Sequence, residues 1–155
     1  MPPLVMLALI AMPGGSGKTT LCARHPDKFQ DLDVLVWRFA GMAMRRAIDT
    51  GRADLIPRIY EHALIRHRGA LDPSKVVLAH HQSHALPLGA SCVARIRPSR
   101  GLWEAGLSPA QAAMARAEFD AVGPAEEYGT HEAIERRCLD LFHSLSAAST
   151  PSVPT

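Results

Sequence analysis

The chain predicts an α/β fold of three layers, with a small, mostly parallel sheet of four to five strands held between helices. Three observations carry that expectation. Leu4 to Met12 is apolar without polar alternation, as in a parallel strand covered on both faces. It runs directly into a glycine-rich turn, Pro13 to Thr20, that opens a helix. Beyond it, short apolar runs alternate with segments of helical periodicity, the pattern of successive βαβ units. Crossover handedness then places the glycine-rich turn at the carboxyl edge of the sheet.

Taken in order, the first strand is Leu4 to Ile10, and the first helix covers Gly17 to Arg24, stopped near His25-Pro26. Phe29 to Asp33 predicts a short second strand with two acids leaving its end. Val34, Trp37, Gly41, Met44 and Ile48 then follow helical spacing up to Thr50-Gly51. A further helix covers Ala53 to Arg68, with Leu55, Ile59 and Ala63 on its inner face and Gly69 closing it. Lys75 to Ala79 is the third strand, and Cys92 to Ile96 the fourth. Ser108-Pro109-Ala110-Gln111 is a helix start, with Ser as N-cap, Pro at the first helical position and Gln placed for a capping box. That helix runs to Val122. Thr130 caps a last helix carrying Ile134, Cys138, Leu141 and Leu145. Between them the Gly, Pro, Ala, Glu and Tyr residues are poor strand formers, so a fifth strand is not visible. Residues 1–145 read as one domain, and 146–155, rich in Ser, Thr, Ala and Pro, as a disordered tail.

Composition narrows the function classes. With 47% apolar and 21% charged residues over 155 positions, the chain has enough apolar material for one core. A net charge of only +2 argues against a protein whose main task is wrapping nucleic acid. Cys22, Cys92 and Cys138 are odd in number and show no metal-type spacing, which suits a reduced, intracellular protein. No run approaches the ~20 apolar residues of a membrane span, and the N-terminus lacks the basic start of a signal peptide. The expected location is the cytoplasm.

The turn carries the chemistry. In Pro13-Gly14-Gly15-Ser16-Gly17-Lys18-Thr19-Thr20, the glycines leave backbone N–H groups free to face phosphate oxygens. Lys18 would reach the β- and γ-phosphates of a nucleotide, the Thr19 hydroxyl would ligate Mg²⁺, and the helix start adds partial positive charge. The pattern G-x-x-x-x-G-K-[ST] places its first glycine at Met12: either Met replaces it, or the loop beginning at Ala11 is one residue longer. Downstream, Asp31 and Asp33 stand two apart, which in a strand turns both carboxylates to one side. One could hold Mg²⁺ through water and the other accept a proton from a substrate hydroxyl. His80 and His84, four apart, would share a face if helical, but no third ligand accompanies them, and polar loop residues such as His80, Gln82 and Ser83 suit a substrate cleft better. Trp37 and Phe39, just after the acid pair, could stack on a base or ring; for Trp37 the apolar stripe it shares with Met44 favours a place in the core.

These residues resemble the P-loop small-molecule and nucleotide kinases, a superfamily that includes shikimate kinase, gluconate kinase, nucleoside monophosphate kinases and the kinase domain of polynucleotide kinase. The match consists of the Pro13–Thr20 loop, the acid pair after the second strand, a polar loop after Val76-Val77-Leu78-Ala79, and the Pro98-Ser99 end of the fourth strand. The resemblance implies a three-layer P-loop NTPase fold, ATP or GTP with Mg²⁺, Lys18 as the phosphate lysine and Thr19 as the metal ligand. It makes Asp31 and Asp33 the metal-water ligand and the general base. No arginine-rich lid is obvious. Arg95, Arg97, Arg100 and Arg116 are the nearest candidates, and Arg97 or Arg100, at the end of the fourth strand, could reach a phosphate. His80-His81 stand where motor ATPases carry a Walker B acid, which argues against a motor or helicase.

The leading expectation is therefore transfer of a γ-phosphate to a hydroxyl or phosphate of a small molecule, nucleotide or nucleic-acid end. The alternative is a nucleotide-binding module with weak or absent catalysis, serving as a switch or as a structural part of a larger or viral assembly. A third, binding of nucleic acid through arginine patches, is disfavoured by the near-neutral charge. No motif names the acceptor, separates ATP from GTP or sets an oligomeric state.

Overall fold

Parallel pairing of every strand decides where the chemistry-bearing loops lie. A computed structural model describes residues 6–149. Five strands, β1 (Ala8–Ala11), β2 (Phe29–Asp31), β3 (Val76–Ala79), β4 (Ser91–Pro98) and β5 (Glu126–Tyr128), form one sheet in the order β2-β3-β1-β4-β5. All four pairings are parallel, so the loops that leave the strands' carboxyl ends gather along one edge.

Strand alternation divides the core into two halves. Leu9 and Ala11 of β1 face one side with Val77 and Ala79 of β3; Ile10 and Met12 face the other with Val76, Leu78 and Ile96. The first side packs against α2 (Leu32–Asp49), α3 (Ile56–His67) and the single-turn α4 (Ala85–Leu88), through Leu32, Val36, Met44, Tyr60, Leu64 and Leu88. The second packs against α1 (Lys18–Arg24) and the long C-terminal helix, through Leu21, Ile134 and Cys138. Helices on both faces of a parallel sheet match the predicted layering.

Several boundaries moved. Leu4 and Val5 of the predicted first strand, and Thr150 to Thr155 of the predicted tail, lie outside the described residues. β2 ends at Asp31, whose side chain accepts the Asp33 N–H at 3.0 Å and caps α2; Asp33 therefore sits in a helical first turn, not in a strand. Starting the helix at Leu32 also resets its phase. Leu32, Val36, Met44 and Ala47 are the buried stripe, whereas Val34, Trp37 and Ile48 are exposed at 63%, 45% and 51%. Trp37 is not a core residue. On α3 the buried positions are Tyr60, Ala63 and Leu64, and the residues before Ile56 form a separate 3-10 turn, Ala53–Leu55.

Beyond β4 come α5 (Arg100–Ala105), α6 (Pro109–Ala121) and α7 (His131–Ser149). The capping box at Ser108 and Gln111 forms as read, and Thr130 Oγ1 accepts the Ala133 N–H at 3.1 Å. α7 continues to Ser149, so the first four positions of the predicted tail are helical. The fifth strand exists: Glu126, Glu127 and Tyr128 pair with Ile96, Arg97 and Pro98. It is an edge strand held by backbone pairing and by Arg97–Glu127 and Arg137–Glu126 contacts at 2.9 and 3.0 Å. Among the described residues no helix is long and apolar enough to cross a membrane.

Candidate functional site

The turn after β1 is shaped by two glycines with positive φ, Gly15 at 84° and Gly17 at 91°. Met12 ends the strand: its side chain is fully buried and its N–H donates to the Ala79 carbonyl at 2.7 Å. The turn proper begins at Pro13, whose carbonyl accepts the Ser16 N–H at 3.2 Å. Gly17 then stands at the N-cap of α1 with no side-chain cap, so the first helical N–H groups have no partner within the helix. Trp103 of α5, 1% exposed, braces the turn by donating its indole N–H to the Gly14 carbonyl at 2.8 Å. A Cβ on Gly15 would meet that same indole nitrogen at 3.0 Å, so the turn and the tryptophan fit only with glycine there.

Lys18 is the buried cation of this turn. It is 6% exposed, and its ammonium donates to the carbonyls of Met12 and Pro13 at 3.1 and 3.3 Å. Ser16 is 2% exposed, and its hydroxyl oxygen is buried with no hydrogen-bond partner. A buried hydroxyl without a partner is costly unless something outside the chain completes it.

Above the turn opens a cavity of about 850 Å³, walled by Gly14 to Leu21, Asp31, Asp33, Trp37, Leu107 and the start of α7. Lys18, Thr19, Asp31 and Asp33 all line it, as do Gly14, Gly15, Ser16, Gly17 and Thr20; Pro13 does not. The two carboxylates differ. Burial pushes Asp31 up, and the Lys18 charge only partly offsets it. Burial also works against Asp33, but hydrogen bonds from His80 and Tyr60 overcome it and hold the carboxyl at about 2. The Tyr60 hydroxyl donates to Asp33 Oδ1 at 2.5 Å, and His80 Nδ1–H donates to the same oxygen at 3.2 Å.

Asp33 and Trp37 also wall a second cavity of about 580 Å³, which extends between α2, α3 and α4. His80 and Ser83 line it as the sequence suggested, and Gln82 does not. His80 and His84 touch ring to ring, centroids 4.5 Å apart, and His84 stacks on Tyr60 at 4.7 Å. No group of three His, Cys, Asp or Glu among the described residues could hold a metal ion.

Arg97 and Arg100 are not brought to either cavity. Arg97 pairs with Glu127 at 2.9 Å and Arg100 with Asp120 at 3.4 Å, and both lie over the Phe119 ring. The cation that does reach the loop cavity from outside the turn is Arg24, paired with Glu135 of α7 at 2.9 Å.

Four contributors escaped the sequence reading. Tyr60 holds Asp33, Trp103 holds Gly14, and Glu118 of α6 comes within 4.0 Å of His80. His131, opening α7, lines the loop cavity, with its Nδ1 3.6 Å from where a Cβ on Gly17 would lie. None belongs to a linear motif. Each comes from a helix remote in sequence, and only the Trp103 indole, a buried donor needing a partner, carried a recognisable signal.

The chain matches no protein-family model and no curated protein sequence.

Proposed function

We propose that the protein is a P-loop phosphotransferase that moves the γ-phosphate of ATP or GTP, with Mg²⁺, to a hydroxyl of a small acceptor. One observation carries the reading: a buried lysine at the floor of the larger cavity faces the same space as two carboxylates, Asp31 and Asp33. Phosphoryl transfer needs positive charge on the transferred group and an acid to orient the attacking oxygen. Lys18 supplies the first by exchanging two weak carbonyl contacts for phosphate oxygens. The unpartnered Ser16 hydroxyl beside it supports an anion at this spot.

Mg²⁺ fits the same wall. Thr19 and Asp31 are oxygen donors lining one cavity, and this metal is commonly bound by one or two protein oxygens together with substrate phosphates. When bound it would neutralise phosphate charge.

Asp33 is too acidic to be an efficient proton acceptor near neutral pH. Its stronger role is positioning. It is ionised, two donors fix one oxygen, and the other remains to accept a hydrogen bond from an acceptor hydroxyl. A loose transition state asks for alignment of the nucleophile more than for prior deprotonation. Asp33→Asn is expected to lower kcat by about 100-fold while nucleotide affinity changes little. Unchanged turnover in that variant would remove Asp33 from the reaction.

A second reading, a nucleotide-binding module with weak or absent catalysis, is favoured by the arginines. Arg97 and Arg100 are engaged away from the cavity and Arg24 is paired, so no unpaired guanidinium is among the described residues that line the larger cavity. Nucleotide binding without transfer to any hydroxyl acceptor would select that reading.

A further inference from the structure

The two cavities that meet at Asp33 and Trp37 differ in the cations that line them. The larger contains Lys18, Arg24 and the glycine turn beside Asp31, Asp33, Glu132 and Glu135. The smaller contains Asp33, Glu61 and Glu118, and no Lys or Arg is among the described residues that line it. The rest of its wall is His80, Ser83, His84 and apolar or aromatic side chains, Trp37, Tyr60, Met44 and Ile56 among them, with His80 3.2 Å from Asp33 and 4.0 Å from Glu118. Burial holds the His84 imidazole at about 4, so at neutral pH this ring contributes no positive charge.

An anionic compound entering this space would lose hydration and meet carboxylates with no Lys or Arg among the described lining to compensate, an unfavourable arrangement. An ammonium would gain from the same acids and from the aromatic faces. We propose that the smaller cavity holds the acceptor and that this acceptor is a cationic or uncharged alcohol, not a nucleotide, sugar phosphate or nucleic-acid end. The inference rests on the phosphotransferase reading and narrows its substrate class.

The step balances without a further reactant. The acceptor oxygen forms a bond to the γ-phosphorus, and the bond from that phosphorus to the β,γ-bridging oxygen breaks. The nucleoside diphosphate leaves, and the hydroxyl proton is released to water, with Asp33 only aligning the hydroxyl. The phosphorylated product gains negative charge beside Asp33, Glu61 and Glu118, which favours its departure.

The test uses the intact protein saturated with a non-hydrolysable ATP analogue and Mg²⁺. A set of small alcohols, equally divided among cationic, uncharged and anionic members, is titrated while the ring protons of Tyr60, His80 and His84 are followed by NMR. Cationic and uncharged alcohols are expected to shift those resonances at millimolar concentration, and anionic ones are not. Glu118→Lys should weaken the cationic alcohols about tenfold and leave the uncharged ones near their original affinity. Anionic alcohols shifting the rings equally well, or no alcohol shifting them at all, would overturn the proposal. Nucleotide binding is measured separately by calorimetry. Its absence alongside binding of cationic alcohols would sink the phosphotransferase reading and leave the charge preference of the cavity standing.

Discussion

His84 illustrates how one half-buried ring couples the site to pH. Burial lowers its pKa to about 4, helped by the nearby His80 and His81 and opposed by Asp33. In the unfolded chain the same imidazole titrates near ~6.5. Between these values the unfolded state binds more protons, so His84's contribution is complete above about 6.5 and is lost as pH falls to about 4. Urea melts at intervals across that window should therefore show wild type losing stability on acidification, with a shallower loss in His84→Gln. Equal slopes would mean that the ring is solvated in the folded protein. Asp33 works in the same direction lower down, since its carboxyl is held at about 2. The residues that matter here are thus set by contacts a linear reading cannot hold. Asp31, Asp33 and Lys18 were legible because their spacing is local; Tyr60, which ties Asp33 in place from 27 positions away, was not.

At the scale of elements, α6 depends on one aromatic anchor. Phe119 is 3% exposed, lies 4.6 Å from the Trp103 ring, and has Arg97 and Arg100 over its face. Through it the helix that carries Glu118 is joined to the indole that braces Gly14. Phe119→Ala is expected to cost about 3–5 kcal/mol in chemical denaturation, typical of removing a buried ring. A loss below ~1 kcal/mol would show that α6 is held elsewhere. Elements with strong local signals were readable in advance: the apolar run of β1, the glycine turn into α1, the Ser108 capping box, and Ile134 with Cys138 on α7. β5 was not, because two of its three residues, Glu126 and Glu127, are poor strand formers, and Tyr128 alone gives too short a signal until β4 offers a backbone edge. The phase of α2 was missed for a related reason. The Asp31 cap starts the helix two residues earlier than the apolar pattern suggested, and that turns Trp37 out of the core into the wall between the cavities.

For the whole molecule, the parallel sheet gathers the ends of β1, β2 and β3 at one edge, and with them Lys18, the two aspartates and His80. The fold class followed from strand and helix alternation alone. The division of the edge into one cavity that holds Lys18 and Arg24 and another whose described lining has acids but no Lys or Arg did not, because Glu61 and Glu118 reach the second only through helix packing. The proposed function requires first a triphosphate in the larger cavity. Isothermal calorimetry of ATP with Mg²⁺ on wild type and Lys18→Ala tests this most directly. Wild type is expected to bind with a Kd on the order of micromolar, about −8 kcal/mol, and the variant to lose at least ~2 kcal/mol of that. Equal binding by the two proteins, or binding by neither, would contradict the account.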